Sequence, residues 1–272
     1  TVRTNSAILR YTPGTGSGTS DQPGGSQNIT IIEPVITTTK TVVPTSGVAA
    51  GDVVTYTVEF ENTGSSTAYE VSALDALAQG VTFTSLTSCL LDAPATDLTP
   101  ATTVDTGTPG QVTFSGATWD IPATSTVTCI YTATAQNSLY MDGSHINTID
   151  ADWTSLNGVQ PNERNYDDSV SRTGVDETPG LDDDDATFTS DAPTFVKDDS
   201  GVTQVVIGDT ITFHLTVGGE AGTYRDVLIT DVLPAGLIYN VGSSQVTLNG
   251  STAVRAPDSV SAPNDGSAAV TL

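Results

Sequence analysis

The chain has 272 residues, a length that favours about two domains. Eight basic against thirty-two acidic residues give a net charge of −24, which excludes nucleic acid and anionic membrane surfaces as default partners because both would repel the chain. No apolar run approaches the roughly 18 residues of a transmembrane helix, so direct membrane insertion is not expected. Thr and Val dominate the periodic segments, which favours strands over helices.

The N-terminal region predicts a hairpin rather than the start of a domain. Apolar and polar residues alternate over residues 5–11, the pattern of a half-buried strand. Residues 13–27 are rich in Gly, Ser, Thr and Pro and predict a turn region, with a return strand over residues 28–32. Residues 5–13 are similar to residues 147–155, which follow a complete set of predicted strands. We therefore predict that residues 1–33 are the closing strands of an incomplete β-sandwich.

An internal repeat organises the rest of the chain. Residues 51–83 contain GDVVTYTVEF, a turn and EVSALDALAQGVTF, and residues 208–239 contain GDTITFHLTV, a turn and DVLITDVLPAGLIY. Lys40 and Lys197 lie at equivalent positions upstream, 157 residues apart. A period of this size indicates tandem domains, each a packed unit of its own.

Residues 34–190 predict one complete all-β domain. Strand-like segments at short spacing, separated by Pro, Gly and Asn turn signals, are typical of a β-sandwich with Greek-key topology. A long polar excursion over residues 161–185 exceeds the usual loop length, which indicates a functional or metal-ordered loop. Residues 191–272 repeat the first half of this domain, and we predict that they are the opening strands of a second, incomplete sandwich.

These motifs carry a resemblance to known proteins. A Lys in the first strand, G-D-x-x-T-[YF], T-D-x-L-P-A-G-[LV] and a closing N-[ST]-[AI] strand resemble the conserved repeat domain of bacterial and archaeal surface proteins. They are similar, too, to the isopeptide-forming domains of fimbrial proteins. The first repeat departs from T-D-x-L-P-A-G-[LV], because it has LDALAQ over residues 74–79. The resemblance implies tandem immunoglobulin-like β-sandwiches, strung as beads in adhesins, stalks and surface filaments.

Three polar residues fall on the apolar faces of predicted strands. Lys40, Asp75 and Asn147 each share a strand face with apolar neighbours, where a single polar group is costly unless it is paired. One interpretation is a buried Lys–Asp ion pair with a hydrogen-bonded Asn. The other, which the fimbrial resemblance implies, is an autocatalytic isopeptide bond between Lys40 and Asn147 with Asp75 as the proton shuttle. Lys197 and Asp231 occupy the corresponding positions of the second repeat.

Two further features are expected of a secreted chain. Cys89 and Cys129 are the only cysteines, and a disulfide between them is the natural interpretation, with two buried free thiols as the alternative. Asn28 and Asn249 begin glycosylation sequons.

The long polar loop is a candidate calcium site. Adjacent carboxylates repel one another, and a hard cation with oxygen ligands relieves that repulsion, although a solvated acidic loop is the usual alternative. The spacing is not that of an EF-hand. The candidate ligands are Asp167, Asp168, Asp182, Asp183, Asp184 and Asp185.

These observations favour a structural function. We expect a subunit of an extracellular filament, pilus or surface stalk that polymerises head to tail, with residues 5–11 pairing with strands of another copy. The alternative is a cell-surface adhesin that binds a glycan or protein ligand. An enzyme is not expected, because His145 and His214 lack partner spacing and there is no nucleophile elbow, phosphate-binding loop or His-Glu metalloprotease motif.

Overall fold

A computed structural model describes residues 2–14, 18–116, 119–166, 182–247, 254–255 and 270–271. Within these residues the chain is almost entirely β, with nineteen strands and one 3₁₀ turn at Thr99–Ala101. Every strand ladder is antiparallel. The contacts divide the chain into two compact units, Thr1–Thr223 and Tyr224–Leu272. No helix among the residues described has the length and apolar character needed to cross a membrane.

The first two strands form a separate hairpin. Among the described residues, β1 (Val2–Tyr11) pairs with β2 (Ser20–Thr30) alone, in a two-stranded sheet. The predicted turn region over residues 13–27 is therefore too long, because the Gly- and Ser-rich segment pairs with β1 from Ser20 onward. Pro23 pairs with Ile8 beyond a register shift, a position that a two-stranded ribbon tolerates because each strand has a free edge.

Eleven strands build the sandwich that the sequence predicts over residues 34–190. Its first sheet has the order β3–β4–β10–β6–β7, and its second has the order β12–β11–β5–β9–β8 with β13 also paired to β11. The strands are β3 (Ile36–Val43), β4 (Val53–Asn62), β5 (Tyr69–Ala76), β6 (Val81–Leu91), β7 (Thr96–Asp97), β8 (Thr103–Asp105), β9 (Gln111–Ser115), β10 (Thr126–Ala135), β11 (Ser144–Thr154), β12 (Asn165–Tyr166) and β13 (Asp183–Thr189). Hairpin neighbours such as β3 and β4 alternate with neighbours that are distant in the sequence, such as β4 and β10 or β5 and β11, as in an immunoglobulin-like sandwich.

Alternation along the strands places the core between the two sheets. In β10 every second residue is buried, and β3 and β11 follow the same rule. Aromatic side chains join the layers: the rings of Phe114 in β9 and Tyr131 in β10 lie 5.3 Å apart, and Phe60 in β4 contacts the buried Trp119 at 5.8 Å. The residues of the candidate site therefore lie on the inner faces of both sheets.

The first compact unit extends past the predicted domain boundary at residue 190. The backbone N–H of Ala50 donates to the Ala221 carbonyl at 2.7 Å, and the N–H of Met141 donates to the Thr223 carbonyl at 3.0 Å. These bonds attach a loop of the second repeat to the sandwich, so the contact boundary falls after Thr223 and not after residue 190. The same unit contains the hairpin of β14 (Thr194–Asp198) and β15 (His214–Gly218).

The described part of the second unit contains four strands of two residues each. β16 (Thr230–Asp231) pairs with β19 (Val270–Thr271), and β17 (Val246–Thr247) pairs with β18 (Val254–Arg255). β14 and β15 lie 157 residues after parts of β3 and β4, and β16 lies 156 residues after part of β5, as the sequence repeat predicts.

Candidate functional site

The structure brings Lys40, Asp75 and Asn147 together inside the sandwich. Lys40 lies on the inner face of β3 in the first sheet, and Asp75 and Asn147 lie on the inner faces of the adjacent strands β5 and β11 in the second. The Lys40 residue is 4% exposed, and Asp75 and Asn147 are fully buried. The three side chains therefore link the two sheets across the core.

The contacts among these groups are short. Lys40 Nζ donates to Asp75 Oδ2 at 2.6 Å and to Asn147 Oδ1 at 2.9 Å. The amine of Lys40 thus lies against the carboxamide of Asn147 and beside the carboxyl of Asp75. Such a cluster can exist as an ion pair with a hydrogen-bonded amide, or it can react to form an amide between Nζ and Cγ of Asn147.

Two tyrosines complete the cluster, and the sequence analysis did not identify them. Tyr131 in β10 donates its hydroxyl to Asp75 Oδ2 at 2.5 Å and accepts a hydrogen bond from Asn147 Nδ2 at 2.9 Å. The ring of Tyr56 in β4 stacks on Tyr131 with centroids 5.0 Å apart, and Lys40 Nζ lies 5.2 Å from the Tyr56 ring centroid. The available signal was the inward alternation of Tyr131 with Cys129, which marks a buried phenol that needs a partner.

Burial shifts the protonation equilibria of the cluster toward the neutral forms. Desolvation lowers the pKa of Lys40 to about 8, against the opposing attraction of Asp75. The pKa of Asp75 is raised by burial, although Lys40 and the hydrogen bonds oppose the rise. Burial also raises the pKa of Tyr56 to about 12 and holds the pKa of Tyr131 above its ordinary value. A neutral amine beside a neutral carboxylic acid is therefore accessible in this core.

A disulfide joins β10, the strand that carries Tyr131, to its neighbour β6. Cys89 in β6 and Cys129 in β10 are directly opposite in the ladder, and their sulfurs are 2.05 Å apart. Both residues are buried. The bond joins two neighbouring strands of the first sheet and does not cross between the sheets, so it does not duplicate the Lys40–Asn147 contact.

The predicted acidic loop divides into two parts. Asp167 and Asp168 lie outside the described residues. Asp183, Asp184 and Asp185 are the first residues of β13 rather than loop residues, because they pair with Asp150, Ile149 and Thr148 of β11.

Strand geometry separates the carboxylates of that acidic run. Successive side chains of a strand point to opposite faces, so these neighbours do not converge. Asp184 Oδ2 accepts the backbone N–H of Lys40 at 2.6 Å, and Asp182 is buried. No group of three or more His, Cys, Asp or Glu residues in the described ranges is arranged to hold a metal ion. Calcium binding stays a prediction.

The remaining predicted site residues are Lys197, Asp231, Asn28 and Asn249. Lys197 in β14 is exposed, with Nζ 4.3 Å from the Phe213 ring centroid. Asp231 is in β16 and belongs to the second compact unit. Asn28 is exposed in β2, where its Oδ1 accepts a hydrogen bond from Thr4, and Asn249 lies outside the described residues. Glycosylation at either asparagine stays a prediction.

Comparisons with known proteins give structural likeness only. No family model matches the chain, and no curated protein matches it. The chain is similar to the full-length major pilin SpaD from Corynebacterium diphtheriae, with 15% identity, a TM-score of 0.37, and coverage of 48% of this chain and 33% of that chain. It is similar to the pilus backbone RrgB from Streptococcus pneumoniae, with 14% identity, a TM-score of 0.38, and coverage of 44% and 31%.

A third similar structure is the C-terminal 35 kDa fragment of the major pilin GBS80 of Streptococcus agalactiae, with 11% identity and a TM-score of 0.40. That match covers 73% of this chain and 84% of the fragment. The chain covers about a third of the length of the first two pilins.

Proposed function

We propose that this chain is a structural subunit of an extracellular filament, pilus or surface stalk, and that its sandwich is locked by an isopeptide bond between Lys40 and Asn147. The observation that carries the proposal is the 2.9 Å contact between a buried lysine amine and a buried asparagine carboxamide, with a buried carboxyl beside them. A protein that transmits tension along its chain gains most from a covalent link between its two sheets.

The chemistry needs only groups that are present in the cluster. Lys40 Nζ passes a proton to Asp75 Oδ2 over 2.6 Å, and the neutral amine attacks Cγ of Asn147. The Cγ–Nδ2 bond breaks, and the nitrogen leaves as ammonia. Of the two protons that the lysine ammonium loses, one remains on Asp75 and the other leaves with ammonia. Burial favours this result because it disfavours the charged forms of both Lys40 and Asp75.

The position of the bond suits a filament subunit. Lys40 lies in β3, the first strand of the sandwich, and Asn147 lies in β11, which β12 and β13 follow among the described strands of the sandwich. Tension that enters at β3 and leaves at β13 would pass through the bond. The intervening chain, with a sequence separation of 107 residues, would bear no tension.

Single-molecule pulling tests this proposal. With the Cys89–Cys129 disulfide intact, 40 of the 107 residues stay closed in its loop, so the unlinked segment would extend by about 230 Å at roughly 3.4 Å per residue. We expect the wild-type protein to lack that extension when it is pulled from residues before β3 and after β13, and the Lys40→Ala variant to show it. Equal extension of the two proteins would contradict the proposal.

We further propose that subunits join by strand complementation through the N-terminal hairpin. β1 pairs with its own β2, and its outer edge has no ladder partner among the described residues. Ile8 and Leu9 are 66% and 64% exposed, and Val227 and Leu228 of the second repeat are exposed as well. The exposed apolar edge of β1 favours pairing with another chain, and the exposed apolar residues of the second repeat offer it a surface.

Charge supports the same contact between copies. Residues 1–32 carry two arginines and one aspartate, a net charge of +1. Residues 191–272 carry nine acidic and three basic residues, a net charge of −6. Opposite charge favours approach of the hairpin of one copy to the second repeat of another, and repetition of one head-to-tail contact generates a filament.

Electron microscopy of paired variants tests the assembly. We expect Ile8→Asp/Leu9→Asp to abolish filaments while leaving the sandwich folded, because both side chains are exposed in the subunit. Val159→Asp is the matched control, since Val159 is 96% exposed on the sandwich itself. Filaments of normal length from the double variant would contradict strand complementation by this hairpin.

An adhesin function has less support. Trp153 and Tyr166 stack with ring centroids 5.0 Å apart, and each is only 5% exposed. These rings are part of the packed structure, so they do not offer a binding platform for a glycan.

A further inference from the structure

We infer that the hydroxyl of Tyr131 is a catalytic proton relay, which carries a proton from Asp75 to the departing nitrogen of Asn147. This inference rests on the proposed isopeptide bond and assigns the step that Lys40, Asp75 and Asn147 leave unexplained. Asp75 receives a proton from the lysine, and Asn147 Nδ2 donates a hydrogen bond to the Tyr131 hydroxyl, which donates in turn to Asp75 Oδ2.

The Tyr131 hydroxyl connects those two groups. It is 2.5 Å from Asp75 Oδ2 and 2.9 Å from Asn147 Nδ2, so a single oxygen lies between the acid and the leaving nitrogen. Together with the two bonds of Lys40 Nζ, these contacts close a ring of four hydrogen-bonded groups. Tyr131 is fully buried, so bulk water does not reach the hydroxyl to replace it.

The direction of the two tyrosine hydrogen bonds explains the order of events. Before reaction, Asn147 Nδ2 is an amide nitrogen, which donates hydrogen bonds and does not accept them. It therefore donates to Tyr131, whose hydroxyl donates to Asp75. Once Lys40 Nζ has attacked Cγ, the same nitrogen is an amine with a free lone pair, so it becomes an acceptor.

The relay then runs in the opposite direction. Protonated Asp75 donates to the Tyr131 oxygen while the Tyr131 proton moves to Nδ2, the Cγ–Nδ2 bond breaks and ammonia leaves. A second proton from Nζ returns to Asp75, so Tyr131 is unchanged and Asp75 ends as the acid. The tyrosine gives and receives a proton in one step, and a charged phenolate is never required.

The stacked ring of Tyr56 provides a matched control. Tyr131→Phe and Tyr56→Phe each remove one hydroxyl from the same buried pair of rings, but only Tyr131 bonds to both Asp75 and Asn147. Bond formation is followed on newly synthesised full chain by intact mass, since each bond releases ammonia and lowers the mass by about 17 Da. We expect Tyr131→Phe to slow this loss by at least about 100-fold, as for removal of a general acid, and Tyr56→Phe to change it by only a few-fold.

A second variant separates chemistry from folding. Fluorotyrosine at position 131 keeps the shape of the side chain and lowers the pKa of the phenol, so the relay predicts a changed rate and a shifted pH profile of mass loss. A rate and pH profile equal to wild type in this protein would overturn the inference, as would wild-type kinetics in folded Tyr131→Phe. Absence of any mass loss in the wild-type protein would instead overturn the isopeptide proposal itself.

Discussion

The complete sandwich and the second repeat contain the same local structure in different surroundings. Gly51 and Gly208 both have φ of 99°, and each is followed by an aspartate whose carboxylate accepts a backbone N–H at 2.9 Å in the same turn. Lys40 pairs with Val58 in one ladder, and Lys197 pairs with Leu215 in the other, a shift of 157 positions in both strands. Turn and register therefore follow from the repeated sequence.

The chemistry of the two lysines nevertheless differs. The side chain of Lys40 is fully buried against Asp75, whereas Lys197 is exposed beside Phe213. Burial of Lys40 depends on β5, β10 and β11, which come from distant parts of the chain. A buried lysine at this position thus requires the assembled sandwich and not the motif alone.

Replacement of each lysine by alanine should give the largest difference between the two repeats in the free energy of unfolding. Lys40→Ala leaves the buried Asp75 uncompensated and removes the proposed bond, so we expect the free energy of unfolding of the sandwich to fall by at least about 3–5 kcal/mol. Lys197→Ala removes an exposed side chain and should change it by no more than about 0.5 kcal/mol. Urea unfolding followed by the fluorescence of Trp119 and Trp153 measures both. An equal fall in the free energy of unfolding for the two variants would contradict different roles for Lys40 and Lys197.

Removal of the disulfide should show how much it stabilises the sandwich beside the proposed bond between Lys40 and Asn147. Cys89→Ala/Cys129→Ala should lower the free energy of unfolding by about 2–4 kcal/mol, because the unfolded chain gains freedom. We expect the mass loss from Lys40 and Asn147 to persist, since the disulfide lies within one sheet. Wild-type protein with reduced cysteines is the control. A sandwich whose urea midpoint is unchanged in the variant would show that the disulfide contributes nothing.

Alanine at Gly51 and alanine at Gly208 should have different effects on the stability of the sandwich. Alanine at φ of 99° is strained, although a Cβ atom added at either glycine would meet no heavy atom within 4 Å. Gly51→Ala should therefore lower the free energy of unfolding of the sandwich by about 1–2 kcal/mol. Gly208→Ala should leave the sandwich transition in calorimetry unchanged. A shift of that transition by Gly208→Ala would show that the two turns are energetically coupled.

The pH dependence of stability should give the smallest effect. In Asn147→Ala, which cannot form the bond, folded Lys40 loses its proton near pH 8, whereas an unfolded lysine keeps its proton to about 10.5. The unfolded state then binds more protons above pH 8, so stability should rise from pH 8 to pH 9, by on the order of 1 kcal/mol. Lys40→Met in the same background should flatten the rise. A fall over this interval in Asn147→Ala would contradict a depressed pKa for Lys40.

Alternation along strands was sufficient to predict the three residues of the buried cluster. Lys40, Asp75 and Asn147 each occupied an apolar face, and the all-β sandwich followed from the same periodicity and its turn signals. Tyr131 was missed because a tyrosine on an inner face satisfies the apolar pattern, and the pattern does not reveal what its hydroxyl contacts. The Gly- and Ser-rich β2 was missed because pairing with β1 overrides its low strand propensity. The exposure of Lys197 could not be predicted, since burial is decided by strands far away in the sequence.

The intact mass of the folded, purified chain tests the central claim most directly. If Lys40 and Asn147 are joined, the mass is lower than the sequence requires by about 17 Da after allowance for the disulfide, and the Lys40→Ala variant shows no such loss. Proteolysis should then release one branched peptide that contains both residues. A wild-type mass equal to that of the unmodified chain would contradict the bond and leave Lys40 and Asp75 as a buried ion pair.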